Sequence, residues 1–270
     1  MACGTTDERI LSSEFRTRWR EQRVDPVAPR TQLVEQVYDR LLEAICSRRL
    51  APGARIAQED LAERLGVSRQ PVSHALQLLK QQGLVRDAEG RGLVVAPIQA
   101  DYVHALYEVR AALDAIAAAR AARRVAEAGR RGGWLADRLT RARAILEKGR
   151  AAVAASDKAA MADVDLAFHG VVNDLAGNPV IAAIARQQWS HIRRAIDVVL
   201  DDPTLHARVW DEHAAILSAI VDGDPARAER LAREHATRAG QQTWQRLTAT
   251  AEASRRADAA ACATRPGDET

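Results

Sequence analysis

The stretch from Gln58 to Gly83, QEDLAERLGVSRQPVSHALQLLKQQG, constrains what this chain can fold into more than any other. Two amphipathic runs meet at Gly66, where glycine tolerates the backbone of a sharp turn. Ser68 is placed to cap the second helix, and Pro71 falls in its first turn, where a missing N–H costs little. Val72, Ala75, Leu76 and Leu79 share one face and are expected to pack on Leu61, Leu65 and Val67. Arg69, Gln70, Ser73, His74 and Gln77 then point outward, with side chains able to reach base edges in a major groove. Any surface helix has a polar face. What favours DNA is the helix pair followed by LVRDAEGRGLVVAPI, a predicted hairpin with a glycine-rich tip. Together they predict a winged helix-turn-helix, with Arg86 and Arg91 of the wing near phosphate or the minor groove. Arg55 and Arg64 are either phosphate contacts or solvated charges.

An earlier helix over Thr31–Arg49, with Leu33, Val37, Leu41 and Ile45 at helical spacing and Thr31 as its cap, completes a domain over 31–98. Residues 1–30 carry mixed charge and no sustained apolar period. They are expected to be a mobile tail, with a short helix near Ser13–Gln22. From Asp101 the pattern is helical throughout, with segments near 101–128, 133–154, 157–176, 179–200, 204–222 and 225–248. Short breaks such as Gly177-Asn178-Pro179 suit antiparallel neighbours in a bundle. Residues 249–270 are expected to be a frayed, disordered tail. The fold class is therefore mostly α: a winged helix-turn-helix plus an all-helical bundle over 101–248. Hydrophobic residues make up 47% of the chain but aromatic ones only 4%, which favours helices in close contact through small side chains.

The three cysteines are far apart and form no CxxC pair, so a reducing cytoplasm is the simplest location. No apolar run approaches the roughly 18–20 residues of a membrane span, and none resembles a signal peptide. The net charge of +3 does not by itself argue for nucleic acid.

Asp165 and His169 stand four apart on one helical face, and His213 and His235 fall in two further predicted helices. If these helices converge, one carboxylate and three imidazoles can hold a divalent metal ion: zinc first, with nickel, manganese or iron also suited. The competing account is four unrelated surface or core groups. His74, His104, His191 and His206 have no such company. Arg110 can pair bidentately with a ligand carboxylate or form a salt bridge with a partner such as Asp114, and Asn173 lies one turn after His169.

LAERLGVSRQPVSHALQLLKQQGLV, entered through LAPGARI at 50–56, resembles the winged-helix domain of GntR-type bacterial transcription regulators. The resemblance implies DNA contacts at Arg69 and Gly92. Many relatives carry Arg-Glu where this chain has Ser73-His74, so a standard contact is replaced and His74 or Gln77 becomes the substitute reader. YEVR at 107–110, DLAFH at 165–169, Gly177-Asn178-Pro179, the EH of 212–213, AIVDGDPARA at 219–228 and His235 occur in an order similar to that of the FCD domain of the FadR-like branch. That implies a metal site at Asp165, His169, His213 and His235, with a small organic acid bound beside it. The expected protein is a non-enzymatic homodimer on a double-stranded DNA operator, acting as a repressor and controlled by the acid. A metal sensor and a metal-dependent enzyme are the alternatives. No Ser/His/Asp elbow, P-loop or GxGxxG supports the enzyme, which would also leave the winged helix without a role.

Overall fold

The computed structural model describes residues 31–128, 133–200 and 202–263. The N-terminal tail with its expected helix, and residues 264–270, lie outside the described residues. The elements in order are α1 (Thr31–Cys46), β1 (Arg55–Ile56), α2 (Gln58–Leu65), α3 (Arg69–Gln81), β2 (Val85–Asp87), β3 (Leu93–Val95), α4 (Ala100–Ala128), α5 (Gly133–Ala154), α6 (Lys158–Ala176), α7 (Pro179–Val199), α8 (Pro203–Val221) and α9 (Pro225–Ala263).

The first six elements are a winged helix-turn-helix. Val37, Leu41 and Ile45 of α1 pack with Val72, Ala75, Leu76 and Leu79 of α3 and with Leu84, Val85 and Val95 beside them, all buried. Leu61, Leu65 and Val67 close this core from the α2 side, as the spacing predicts. Leu33, in phase with the stripe, is instead 46% exposed. Gly66 adopts the left-handed conformation at φ 65°, which turns the chain between α2 and α3. Ser68 has the extended backbone of a capping residue, but its side chain makes no capping bond. The cause is local. A capping oxygen accepts from the second or third helical N–H, and the third residue is Pro71, which has none. The wing has a third strand: β1 pairs antiparallel with β3 (Arg55↔Val94, Ile56↔Leu93), giving the sheet order β1-β3-β2. The short extended entry at 50–56 is thus part of the wing itself.

The remaining helices form the bundle. Four of them start on a side-chain cap. Asp157, Asn178, Asp202 and Asp224 accept from the N–H of Ala160, Val180, Thr204 and Arg227 at 2.9–3.0 Å. Proline follows the last three of these caps at the first helical position, where its fixed φ suits the helix. Small residues set the helix spacing. Ala115, Ala117, Ala118, Ala121 and Ala122 of α4 are buried. A Cβ at Gly240 of α9 would stand 2.5 Å from the Cβ of Tyr107 on α4, so the glycine is what lets these two helices meet so closely. The helix expected to end near Thr248 runs on to Ala263. TATAEASRRADAAACA lacks an apolar stripe but is rich in alanine and arginine, which favour helix without packing. The expected disordered tail over 249–270 is corrected to that extent.

Candidate DNA interface and metal centre

The outward face of α3 presents Arg69, Gln70, His74 and Gln77 exposed and Ser73 half-buried. With Gln58 and Glu59 of α2 these side chains, apart from Gln77, line one open depression. Arg69 donates to Glu59 at 2.5 Å, with both side chains mostly exposed. An exposed pair of this kind is worth about 0–1 kcal/mol, so it orients the guanidinium without locking it away from a base or phosphate. Arg86, Arg91 and Gly92 of the wing are all exposed. Lys80 near the end of α3 bonds both carboxylate oxygens of Asp87 at 2.7 and 2.8 Å, which ties the wing to the helix. The surface suits a groove: a polar helix face flanked by a hairpin that exposes Arg86 and Arg91, with Asp87 tied to Lys80.

In the bundle, α6, α8 and α9 converge. His169, His213 and His235, all buried, bring one ring nitrogen each within 4.8 Å of the others. Asp165 adds a carboxylate oxygen 3.5 Å from Nε2 of His213 and 3.9 Å from Nε2 of His169. The rear nitrogens of two rings face carboxylates. Nδ1 of His235 bonds Glu212 at 2.7 Å, and Nδ1 of His169 lies 3.3 Å from Asp114. Those carboxylates favour one tautomer: each accepts a hydrogen bond from Nδ1–H, which leaves the Nε2 lone pair turned inward.

The electrostatics agree. Burial, reinforced by the nearby Arg110, lowers the pKa of His169. Burial, together with His235 and His169, holds His213 well below the ordinary histidine range. Burial opposes ionisation of Asp114, yet His169 and Arg110 hold its carboxyl down at about 2. A lowered pKa at His169 and His213 favours the neutral imidazole, the form that binds a cation.

The inner nitrogens are poorly satisfied by one another. Nε2 of His213 is 3.2 Å from Nε2 of His235, while Nε2 of His169 and Nδ1 of His213 are buried with no hydrogen-bond partner. Such orphaned groups cost about 1–3 kcal/mol each. A divalent cation among the three Nε2 atoms and Asp165 would give Nε2 of His169 a partner and separate the two facing Nε2 atoms of His213 and His235, so the residues present fit a metal, although Nδ1 of His213 gains nothing from it.

Arg110 of α4 is buried, bonds Asp114 at 3.2 Å on its own helix and stands 3.9 Å from Asp165. It also lines a cavity of about 60 Å³ that reaches Asp165 and His235. The other walls are mostly apolar, with Ile196, Leu200, Leu205, Val209 and Trp210 among them. Tyr107, His206 and Thr243 add polar edges. Asn173 is buried elsewhere, beside a smaller space shared with Asp114, Gln188 and Trp189. The sequence pattern did not single out Tyr107, His206 or Glu212. His206 shares α8 with His213 but stands seven positions before it and is grouped by the pattern with the lone histidines, and Glu212 acts on a histidine 23 positions away.

Residues 33–95 match the family of bacterial regulatory proteins named gntR, and residues 105–238 match the FCD domain. The chain belongs to the GntR family of transcription regulators and carries an FCD domain. This GntR-family chain is 29% identical over 204 residues to an HTH-type transcriptional regulator in an unstable DNA locus of Streptomyces ambofaciens, covering 74% of the chain and 80% of the relative. It is 29% identical over 226 residues to the HTH-type transcriptional regulator Rv0494 of Mycobacterium tuberculosis, covering 74% and 84%. Other relatives match over a shorter stretch. A regulator of Agrobacterium vitis is 34% identical over 89 residues, which is 33% of this chain and only about half (52%) of that protein. Among solved structures, Escherichia coli McbR/YncC aligns with a TM-score of 0.68 at 20% identity, covering 80% of this chain and 98% of that one. A GntR regulator from Rhodococcus sp. RHA1 aligns with a TM-score of 0.64 at 24% identity, covering 79% and 98%. Both share the fold of this GntR regulator. No described helix is long and apolar enough to cross a membrane.

Proposed function

We propose that this regulator represses transcription from a two-fold operator that it binds as a homodimer, and that a short organic acid bound beside a divalent metal sets its affinity for DNA. The observation that carries the reading is the meeting of Asp165, His169, His213 and His235 on one point, with Arg110 on the wall of the adjoining cavity. When bound, the metal supplies a Lewis-acidic positive centre that attracts an anion. Arg110 supplies the second cationic partner and orients a carboxylate against it. Repression is taken from the name of one relative, the HTH-type transcriptional repressor RspR of Escherichia coli, 32% identical over 107 residues.

The cavity narrows the acid. In this measure of volume one water needs about 10–15 Å³, so the cavity takes about four to six non-hydrogen atoms. Its walls carry one arginine and otherwise mostly apolar side chains. A second carboxylate would lie against Ile196, Leu200 and Leu205 with no cation to meet it, a costly burial. The expected ligand is a monocarboxylate with a short aliphatic body. It can shift operator affinity only by binding the two conformations unequally.

The test is a thermal-shift series on zinc-loaded protein with acetate, propionate, butyrate, malonate and citrate. Propionate or butyrate is expected to raise Tm most, by mass action. A shift with zinc but with none of the acids, together with operator binding that follows zinc alone, would replace this reading with a metal sensor. Turnover of a bound acid would replace it with an enzyme.

A further inference from the structure

We propose that the cleft between the winged helix and the bundle is a second ligand site, which takes an aromatic carboxylate on Arg194 and through it alters the affinity for DNA. It shares no residue with the metal centre and does not depend on the metal-and-acid reading above.

The cleft holds about 540 Å³ and opens to solvent. Gln82, Val85 and Ala96 wall it from the DNA-binding domain, and Val103, His191 and Arg194 wall it from the bundle. Pro97 and Ile98 of the connecting segment lie between them. Small-molecule pockets run to about 300–1,000 Å³, and this cleft falls among them. The cavity beside the metal ligands holds only about 60 Å³. The two spaces therefore select ligands of different size.

Arg194 sets the sign of the ligand. It is 4% exposed, yet among the described residues no carboxylate pairs with it, and its one acceptor is the carbonyl of Ala96. The other buried arginine, Arg110, has Asp114 at 3.2 Å, and the adjacent Arg193 has both Glu43 and Asp163. Burial holds the Arg194 guanidinium below the ordinary arginine pKa, with no carboxylate to offset it. A cation left unpaired in the interior is costly. A guanidinium carries five N–H donors in a planar fork, so most of the fork is idle. A ligand carboxylate would supply the missing charge and accept two of those donors. Nothing else in the cleft competes for this role. Asp87 is the one carboxylate on its walls among the described residues, and Lys80 holds both of its oxygens. Arg86, exposed on the wing, has no carboxylate partner there either. The walls carry a surplus of positive charge, which attracts an anion.

The remaining walls set its shape. Tyr102 of α4 and His191 of α7 meet edge to face at 5.1 Å, and Tyr102 is still 49% exposed. Half of that ring is left for a partner, and rings favour offset or edge-to-face contact. With Val85, Ile98 and Val103 nearby, a flat aromatic body has surface to cover. A short aliphatic acid would leave these walls wet.

Position supplies the consequence. Gln82 follows α3 and Ala96 follows β3, while His191 and Arg194 belong to α7. A carboxylate on Arg194 competes with the Ala96 carbonyl for the same fork, so the occupant acts where the two domains are joined. It shifts operator affinity by as much as its own affinity differs between their placements, and the operator shifts its affinity by the same factor.

Calorimetric titration of the full-length protein with naphthoate tests the site. Naphthoate has more than twice the non-hydrogen atoms that the metal-side cavity takes. Saturable binding of one molecule per chain is expected. Naphthamide, with the same rings and no charge, should bind at least about tenfold more weakly, and Arg194→Gln should lose naphthoate by a similar factor. Protein stripped of metal by a chelator should bind naphthoate as the zinc-loaded protein does. Because Arg194 also joins the domains, photo-cross-linking of the parent with benzoylbenzoate gives a readout without any variant. Peptide mass spectrometry is expected to find the label within 96–103 or 189–194, and naphthoate should suppress it. Saturating naphthoate should change the operator dissociation constant at least about fivefold in the parent, read by fluorescence anisotropy. No saturable binding, naphthamide binding as tight as naphthoate, or a label confined to the segment around Trp210 overturns the site. Binding that requires zinc would place the ligand at the metal centre and overturns it too. Binding with unchanged operator affinity overturns the control of DNA. Failure of the short acids in the thermal-shift series would leave this site standing.

Discussion

His213 has no exposed surface, one ring nitrogen shared with another histidine and the other with no partner. A side chain this poorly satisfied in isolation is held by what it can bind. Replacing it with alanine removes one of four ligands. His213→Ala is therefore expected to lose the zinc-dependent rise in Tm, measured by calorimetry with and without zinc, while Asn178→Ala, a surface cap, retains it. Metal at a hundred times its dissociation constant stabilises by about 2.7 kcal/mol, and that increment is what should vanish. Glu212→Gln tests the layer behind the ligands. Loss of the charge that holds His235 should weaken zinc about 10–100-fold by competition with a chelating dye, and a change of less than twofold would show that Glu212 does not orient the ring. The cluster of Asp165, His169, His213 and His235 was legible in sequence because Asp165 and His169 are local neighbours and the other two stand in recognisable segments. Asp114 and Glu212 were not legible as supports, since each is joined to a ring of another helix only by packing.

At the scale of elements, the helices of the bundle were read to within a few residues because four of the breaks carry their own chemistry: a capping Asp or Asn, followed in three of them by proline. The reading failed where two local signals conflict. Ser68 has the residue type of a cap, and Pro71 removes a donor the cap would use. It failed again where no tertiary signal exists, as in the last turns of α9. Nor could two-residue β1 be paired with β3 by sequence, because a strand that short has no periodicity. Helix contact itself rests on one atom at Gly149 of α5. A Cβ there would lie 2.2–2.4 Å from the ring of Trp210 on α8, and Trp210 also walls the cavity. Gly149→Ala is expected to destabilise the protein by about 1–3 kcal/mol through overpacking, read as a lower Tm, and to alter acid binding at the same time. Gly170→Ala, with open space around it, should do neither.

On the scale of the molecule, one helix touches both halves. Within Ser190–Arg194 of α7, the Ser190 carbonyl receives the Cys46 thiol, His191 bonds the carbonyl of Gln82 at 2.7 Å, Arg193 bonds Glu43 at 2.5 Å and Arg194 bonds the carbonyl of Ala96. Gln82 closes the C-terminal end of α3, so the second helix of the helix-turn-helix is held from the FCD domain. On the same helix, Ile196 lines the cavity beside the metal ligands, and Leu200 just past its end does the same. A ligand that displaces Ile196 acts on a helix already bonded to α3. His191→Ala with Arg193→Ala is expected to leave acid binding near the parental value while the acid's effect on operator affinity shrinks, seen by fluorescence anisotropy. Equal coupling in parent and variant would assign transmission to another element. Operator binding itself should weaken with salt, and Arg86→Ala should reduce the slope of log affinity on log salt by about 1 if that side chain meets a phosphate.

The grip of α7 also limits how this architecture can be recombined. Two of its four contacts end on backbone carbonyls, at Gln82 and Ala96, which any sequence supplies so long as the helix and wing end where they do here. Only Glu43 and Cys46 depend on side-chain identity. A foreign DNA reader of the same length, given an acid at position 43, would inherit the sensor's hold, whereas one with a single residue inserted before Gln82 would lose it. For this chain, compatibility between reader and sensor is a matter of where elements stop more than of which residues they contain.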